Sequence, residues 1–214
     1  MNKYVFLLFS PLYFLLNSCT KDFLDRSPSY YSDEQNAYNS IPAIKSALAG
    51  CYDGLQDYRY YGRNFYCLTE AFSDNAKLST TNSTNFLSFY NHSITKYDSE
   101  LQGIWEIGYK IITRTNNVIN AINSISTGTD AEKKQILGEA LALRSLVYFD
   151  LVRIFAQTYS VSTGVDNANG VGAHIGIPIV TEKTSNDSIQ FPHRNSVNQV
   201  YTLIISNLLS ADTL

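Results

Sequence analysis

The sequence predicts an all-α fold of stacked helical hairpins joined by long irregular loops. Apolar residues recur at steps of three and four through four long stretches. The two longest stretches are parted only by a short Ser-Thr-Gly-Thr-Asp turn, and clusters of Gly, Asn, Asp and Pro, not alternating strand patterns, fill the remaining gaps. With 214 residues, 44% of them hydrophobic, the chain has enough apolar surface for a substantial core. Charged residues are only 16% and the net charge is -3, so no basic face could neutralise a row of phosphates and no nucleic-acid partner is expected. The same apolar content excludes a disordered chain.

Residues 1–18 read as a secretion leader. Lys3 supplies the positive start, an apolar run follows, and Pro11 breaks it once. The sequence Leu16-Asn17-Ser18-Cys19 resembles a bacterial lipobox, with leucine at -3 and a small residue at -1. Cys19 would then carry the lipid and anchor the chain to a membrane without spanning it. Residues 19–39 form an anchor and extended segment, and residues 40–214 the helical domain. With Cys19 lipidated, Cys51 and Cys67 remain; an oxidising exterior permits a disulfide, and two independent core residues fit equally well.

The first helix is expected over 41–56, with Pro42 in its first turn and Ile44, Ala47, Leu48, Cys51 and Leu55 on one face. A Tyr/Asp/Asn-rich irregular region follows over 57–98, with a loop at 80–83 and a short docked turn around Phe86, Phe89 and Tyr90. The second helix, 100–126, carries Ile104, Trp105, Gly108, Ile111, Ile112, Val118 and Ile122 on its apolar face, and Glu106 and Lys110 as an i,i+4 pair. The third, 131–156, has Asp130 as its N-cap and Glu132 in its first turn. These two helices should fold back as an antiparallel hairpin, each face needing another to cover it, which is the physics of tetratricopeptide-like stacking.

Residues 157–191 form a long connection. Its apolar stretch 175–180 crosses the edge of the core, and Pro178 restricts it to an unpaired or edge position. The turn at Asp166-Asn167-Ala168-Asn169-Gly170 lacks the carboxylates of a calcium loop. Ser196 and Gln199 make a capping box for a last helix burying Val197, Val200, Tyr201, Ile204, Leu208 and Ala211. No tail follows that helix, which reads as a sequence cut short.

Among candidate functional residues, Tyr58, Tyr60, Tyr61 and Tyr66 crowd the region after the first helix beside Arg59, Asn64 and Asp74. Flat aromatic faces beside polar groups suit the C–H faces and hydroxyls of sugars. Trp105 and Tyr109, one turn apart, are read as core. Arg144 lies on an apolar face and needs a partner, for which Glu139 or Asp150 are the candidates. The motifs of hydrolases, zinc proteases and phosphate-binding loops are absent, and His92, His174 and His193 have no ligand spacing with the cysteines, so neither catalysis, a metal nor a cofactor is expected.

Several stretches together resemble one family, the SusD/RagB-like outer-membrane nutrient-binding lipoproteins. Cys19-Thr20-Lys21-Asp22-Phe23-Leu24-Asp25 followed by Pro28 resembles the family's mature start, and 48–55 its first helix. Trp105, Gly108, Tyr109, Ile112, Arg114 and Asn116 are similar to its next helix; Glu139, Arg144, Tyr148, Asp150 and Arg153 to the following one; Pro178 and Arg194 to what comes after. Ala156 and Asn207 depart from a frequent glycine and aspartate. The resemblance covers the mature chain and about the first half of a typical member. It implies tetratricopeptide-like helices against a TonB-dependent (SusC-like) transporter, a glycan or peptide ligand, export to the outer surface with Lys21 and Asp22 as the tag, and binding without catalysis. The alternative is a helical-repeat envelope scaffold that contacts proteins and binds no sugar.

Overall fold

The computed structural model describes residues 38–79, 81, 85–160, 170–183 and 191–214. The leader, Cys19, Lys21, Asp22 and most of the Asp166 turn lie outside the described residues. All regular elements among the described residues are helices: α1 (Ile41–Leu55), α2 (Asn64–Phe72), α3 (Leu87–Tyr90), α4 (Ser99–Ser124), α5 (Asp130–Phe155) and α6 (Val197–Asp212).

Helix α1 starts where the Ser40 side chain accepts from the Ala43 N–H and Pro42 fills a position that needs no donor. Its inward face is Ile41, Ile44, Leu48 and Cys51, all buried. Helix α5 begins one residue earlier than its carboxylate suggested. Thr129 is the N-cap: it accepts from Glu132 N–H while Glu132 reaches back to Thr129, and Asp130 is already helical. The cause is Gly128, whose φ of 91° turns the chain so that Thr129 enters extended. A side chain at Gly128 would also strike Ile41, since its Cβ would lie 2.4 Å from Ile41 Cγ1.

Paired contacts give the register. Gly108 lies against Leu151, and Asn116 accepts from Arg144, so α4 and α5 run antiparallel as expected. Arg144 meets Asn207 and Phe149 meets Tyr201, so α5 and α6 do the same. Helix α1 runs antiparallel to α4, with Gly54 against Ile111 and Gly50 O accepting from Arg114. At Gly108 a Cβ would approach Leu151 Cδ2 to 2.9 Å, so the close α4–α5 approach requires glycine. Residues 38–214 form one compact unit. Its core has two clusters, one around Tyr60, Phe89, Ile104, Ile111, Tyr148 and Leu151, the other around Ile44, Cys51, Val118, Ile136 and Ala140. Each fully buried aliphatic side chain contributes about 1.5–3 kcal/mol.

Two further expectations need correction. The region after α1 is less irregular than its composition indicates, because Asn64, Leu68 and Ala71 bury one face of the short helix α2. On α6 the inward residues are Val197, Val200, Ile204 and Asn207, while Leu208 is exposed. The helix phase at 197, 200, 204 and 207 turns Leu208 outward by about 100° from Asn207.

The segment 175–180 is irregular yet well anchored. Ile175 and Ser196 form an isolated antiparallel bridge, Gly176 N–H donates to Asn195 O at 2.7 Å, and Asn195 N–H returns to Ile177 O. Helices α4 and α5 hold the rest with side chains. Tyr109 Oη donates to Pro178 O at 2.7 Å, Tyr148 Oη donates to Val180 O at 2.8 Å, and Asn116 Nδ2 donates to the same carbonyl at 2.8 Å. Helical side chains thus stand in for the sheet partner that Pro178 would obstruct.

Candidate ligand-binding surface

The tyrosine-rich turn is built on Asp57, whose carboxylate accepts from Arg59 through the backbone N–H at 2.9 Å, Nε at 3.2 Å and Nη2 at 3.1 Å. Those hydrogen bonds from Arg59 hold the Asp57 carboxyl below its ordinary range. The chain then doubles back so tightly at Gly62 that a Cβ there would lie 2.6 Å from Gln56 O.

This turn divides the four tyrosines. Tyr60 is 0% exposed and donates to Asp150 Oδ2 at 3.0 Å. Tyr61, half-buried, donates to the same oxygen at 2.5 Å. Burial raises the pKa values of Asp150, Tyr60 and Tyr61 alike, so the phenols stay protonated and able to donate. Tyr60 therefore offers no face to a ligand; it is a core residue, drawn inward by a carboxylate that needs donors. Tyr58 and Tyr66 are the outward pair, 59% and 60% exposed. The Arg59 and Arg63 guanidiniums lie 5.7 and 5.0 Å from the Tyr58 ring centroid, and Tyr66 packs 6.1 Å from Tyr61. Asn64 is buried, its amide donating to Glu100 O, and Asp74 stands exposed beside His92.

The other motif residues make architecture. Arg144 is buried but bonds neither Glu139 nor Asp150. Its Nη1 donates to Asn116 Oδ1 and its Nη2 to Asn207 Oδ1, each at 2.9 Å. Glu139 and Asp150, five and six residues away along α5, project from other faces of the helix. Glu139 accepts from Tyr52 Oη at 2.9 Å. Glu106 does not pair with Lys110; it accepts from Gln102 at 2.7 Å and stands 3.9 Å from Arg59. Trp105 and Tyr109 pack together at 4.8 Å, with Phe155 edge-on to Trp105. Arg194 lies over Trp105 and its Nη2 donates to Phe155 O, closing the C-terminal end of α5. Arg153 is exposed, stacked 4.9 Å from the Phe149 ring. Cys51 is buried and free, its thiol pushed up to about 11 by burial, while Cys67 is exposed and free.

Sequence reasoning missed a polar groove of about 340 Å³ between α1 and α4. Asp53, Asp57, Lys110 and Arg114 line it over a floor that includes Ile107 and Ile111. The available signal was two i,i+4 charge pairs, the acidic Asp53 and Asp57 at the end of α1 and in the turn just after it, and the basic Lys110 and Arg114 on α4.

A family model described as starch-binding and associating with the outer membrane matches residues 22–214. A SusD-like protein of Formosa agariphila is 30% identical over 200 residues, which is 92% of this chain and 34% of the relative. A SusD-like protein of Bacteroides ovatus is 28% identical over 72% of this chain and 28% of its own length. The chain thus spans about a third of the length of these curated relatives, less than the half the motifs implied. The crystal structure of a SusD superfamily protein from Bacteroides thetaiotaomicron aligns with a TM-score of 0.67 and 27% identity, over 80% of this chain and 36% of that one. The helical order, the antiparallel register and the side-chain clamps on the 175–180 segment lie within the matched span, and the chain belongs to the SusD-like family.

Proposed function

We propose that this protein is a cell-surface lipoprotein that binds oligosaccharides and delivers them to a TonB-dependent transporter without transforming them. The observation that carries the reading is the match of residues 22–214 to a family described as starch-binding and outer-membrane associating. Two solved proteins of the same fold lend support. One is a laminarin-binding SusD-like protein with a TM-score of 0.59, and the other was solved with a xylogluco-oligosaccharide with a TM-score of 0.53. Within the chain, Tyr58 and Tyr66 are exposed rings, and the Arg59 and Arg63 guanidiniums lie over Tyr58; exposed rings can stack on a sugar face and guanidiniums can donate to its hydroxyls. Cys19 is the proposed lipid attachment, with Lys21 and Asp22 as the surface-export tag. Affinity electrophoresis of the full chain in gels containing laminarin, xyloglucan or starch tests the reading. Retardation in at least one polysaccharide is expected; unretarded migration in all three, alongside binding to a peptide library, would move the ligand class to peptide.

A second reading, a protein-binding scaffold, is favoured by one observation. Ile205, Leu208, Leu209 and Leu214 are exposed along α6 and its end. Covered by a protein partner, they would form an ordinary helix–helix interface. Co-purification with a transporter fits both readings, whereas sugar binding fits only the first.

A further inference from the structure

The two arginines of the tyrosine-rich turn differ in how their charge is met. Arg59 is compensated: Nε and Nη2 donate to the Asp57 carboxylate, and Nη1 stands 3.9 Å from Glu106. Arg63 has no carboxylate within ion-pair distance among the described residues. Its side chain makes one hydrogen bond there, from Nε to Asn64 Oδ1 at 3.0 Å. Nη1 and Nη2 keep their N–H groups for another acceptor.

Arg63 is nevertheless held in place. Asn64 is 1% exposed, and its Nδ2 donates to Glu100 O of α4 at 3.2 Å, so the amide that orients Arg63 is itself fixed. The Arg63 guanidinium lies over the Tyr58 ring at 5.0 Å and over the Phe86 ring at 5.3 Å. Phe86 is buried and packs 6.3 Å from the buried Phe89, so that shelf belongs to the core, whereas Tyr58 is exposed. The half-buried guanidinium thus sits where the core meets solvent, its position set before any ligand arrives. A sugar hydroxyl would accept its hydrogen bonds and leave the charge unmet. An oxyanion answers both, and the planar fork fits two oxygens of one group.

From these contacts we infer that Arg63 selects acidic glycans: a carboxylate or sulfate ester on the sugar accepts from the Arg63 Nη groups beside Tyr58, and neutral glycans bind the same surface more weakly. The whole chain carries a net charge of -3, so its general field repels a polyanion and the preference comes from this one place.

The inference rests on the carbohydrate-binding reading and deepens it by naming the ligand's charge. Affinity electrophoresis of the full chain tests it, in gels containing laminarin, xyloglucan or starch and, in parallel, the C6-carboxylated and the sulfated derivative of each. At least one derivative should retard the protein more than its neutral parent, and which derivative does so tells carboxylate from sulfate. Arg63→Gln should weaken binding to that derivative by about tenfold, leave any binding of the parent within about twofold, and melt as the wild type does. Arg63→Lys, which keeps the charge without the fork, should recover part of the preference, and Arg153→Gln, which removes an exposed arginine elsewhere, should leave it intact. Equal retardation by parent and derivatives, or a preference that survives Arg63→Gln, would overturn the inference and leave the carbohydrate reading standing. No retardation by any parent or derivative would overturn both.

Discussion

Tyr148 and Val180 exchange two hydrogen bonds: Tyr148 Oη donates to Val180 O at 2.8 Å and accepts from Val180 N–H at 2.7 Å. One phenol does for Val180 what a neighbouring strand would do. Burial pushes its pKa up to about 12, so it remains a donor at any physiological pH.

Tyr148→Phe should therefore cost about 1–3 kcal/mol, because the Val180 N–H loses its acceptor with no replacement while the ring volume is kept. Urea unfolding measures the loss. Hydrogen exchange of the Val180 amide should accelerate in parallel. A change below about 0.5 kcal/mol would show that water replaces the phenol at no cost.

The Arg144 guanidinium is 6% exposed and faces two amide oxygens and no carboxylate. Its Nε and Asn207 Nδ2 are both buried without a partner, and burial lowers the Arg144 pKa. Asn207→Asp supplies the missing negative charge and removes one orphan donor, so it should stabilise the fold by about 1–3 kcal/mol. Asn207→Leu should destabilise by about as much or more. Thermal unfolding of the two variants distinguishes them; a destabilised Asn207→Asp would mean that the guanidinium charge is already compensated.

Asp150 gives a pH signature. Its folded pKa lies above the ordinary range of an aspartate, first because it is buried, with the Tyr61 and Tyr60 hydrogen bonds and Arg153 opposing. The folded state then holds the proton at pH values where the unfolded chain has lost it, so this carboxyl's contribution is fully present below the unfolded pKa and is lost as pH rises through the folded one. The stability difference between wild type and Asp150→Asn should accordingly shift against the wild type as pH rises from the unfolded carboxyl range to neutrality. Urea midpoints across that window check the sign; a difference shifting the other way would place the folded pKa below the unfolded one.

The long amphipathic helices were legible because each buries a stripe that repeats in the sequence, as with Ile44, Leu48 and Cys51 on α1. Helix α2 was not, since only Asn64, Leu68 and Ala71 turn inward among aromatic and polar neighbours. The partners of Arg144 lie 28 and 63 residues away on other helices, and no local spacing announces them. The tyrosines show the same limit. Adjacent Tyr60 and Tyr61 are fixed by a carboxylate 90 and 89 residues downstream, so composition marked the right turn while the fold chose which rings face water.

That choice decides how glycan binding must be probed. Tyr60→Ala would empty a core site at a cost of about 3–5 kcal/mol, so lost binding would say nothing about contact. Tyr58→Ala and Tyr66→Ala remove exposed rings and should change stability by no more than about 0.5 kcal/mol. Isothermal calorimetry of the Tyr58→Ala/Tyr66→Ala double variant, against whichever glucan oligosaccharide the wild type binds, tests the central claim most directly. A folded variant whose affinity falls by about tenfold or more is predicted; a folded variant that binds as tightly as the wild type would contradict it.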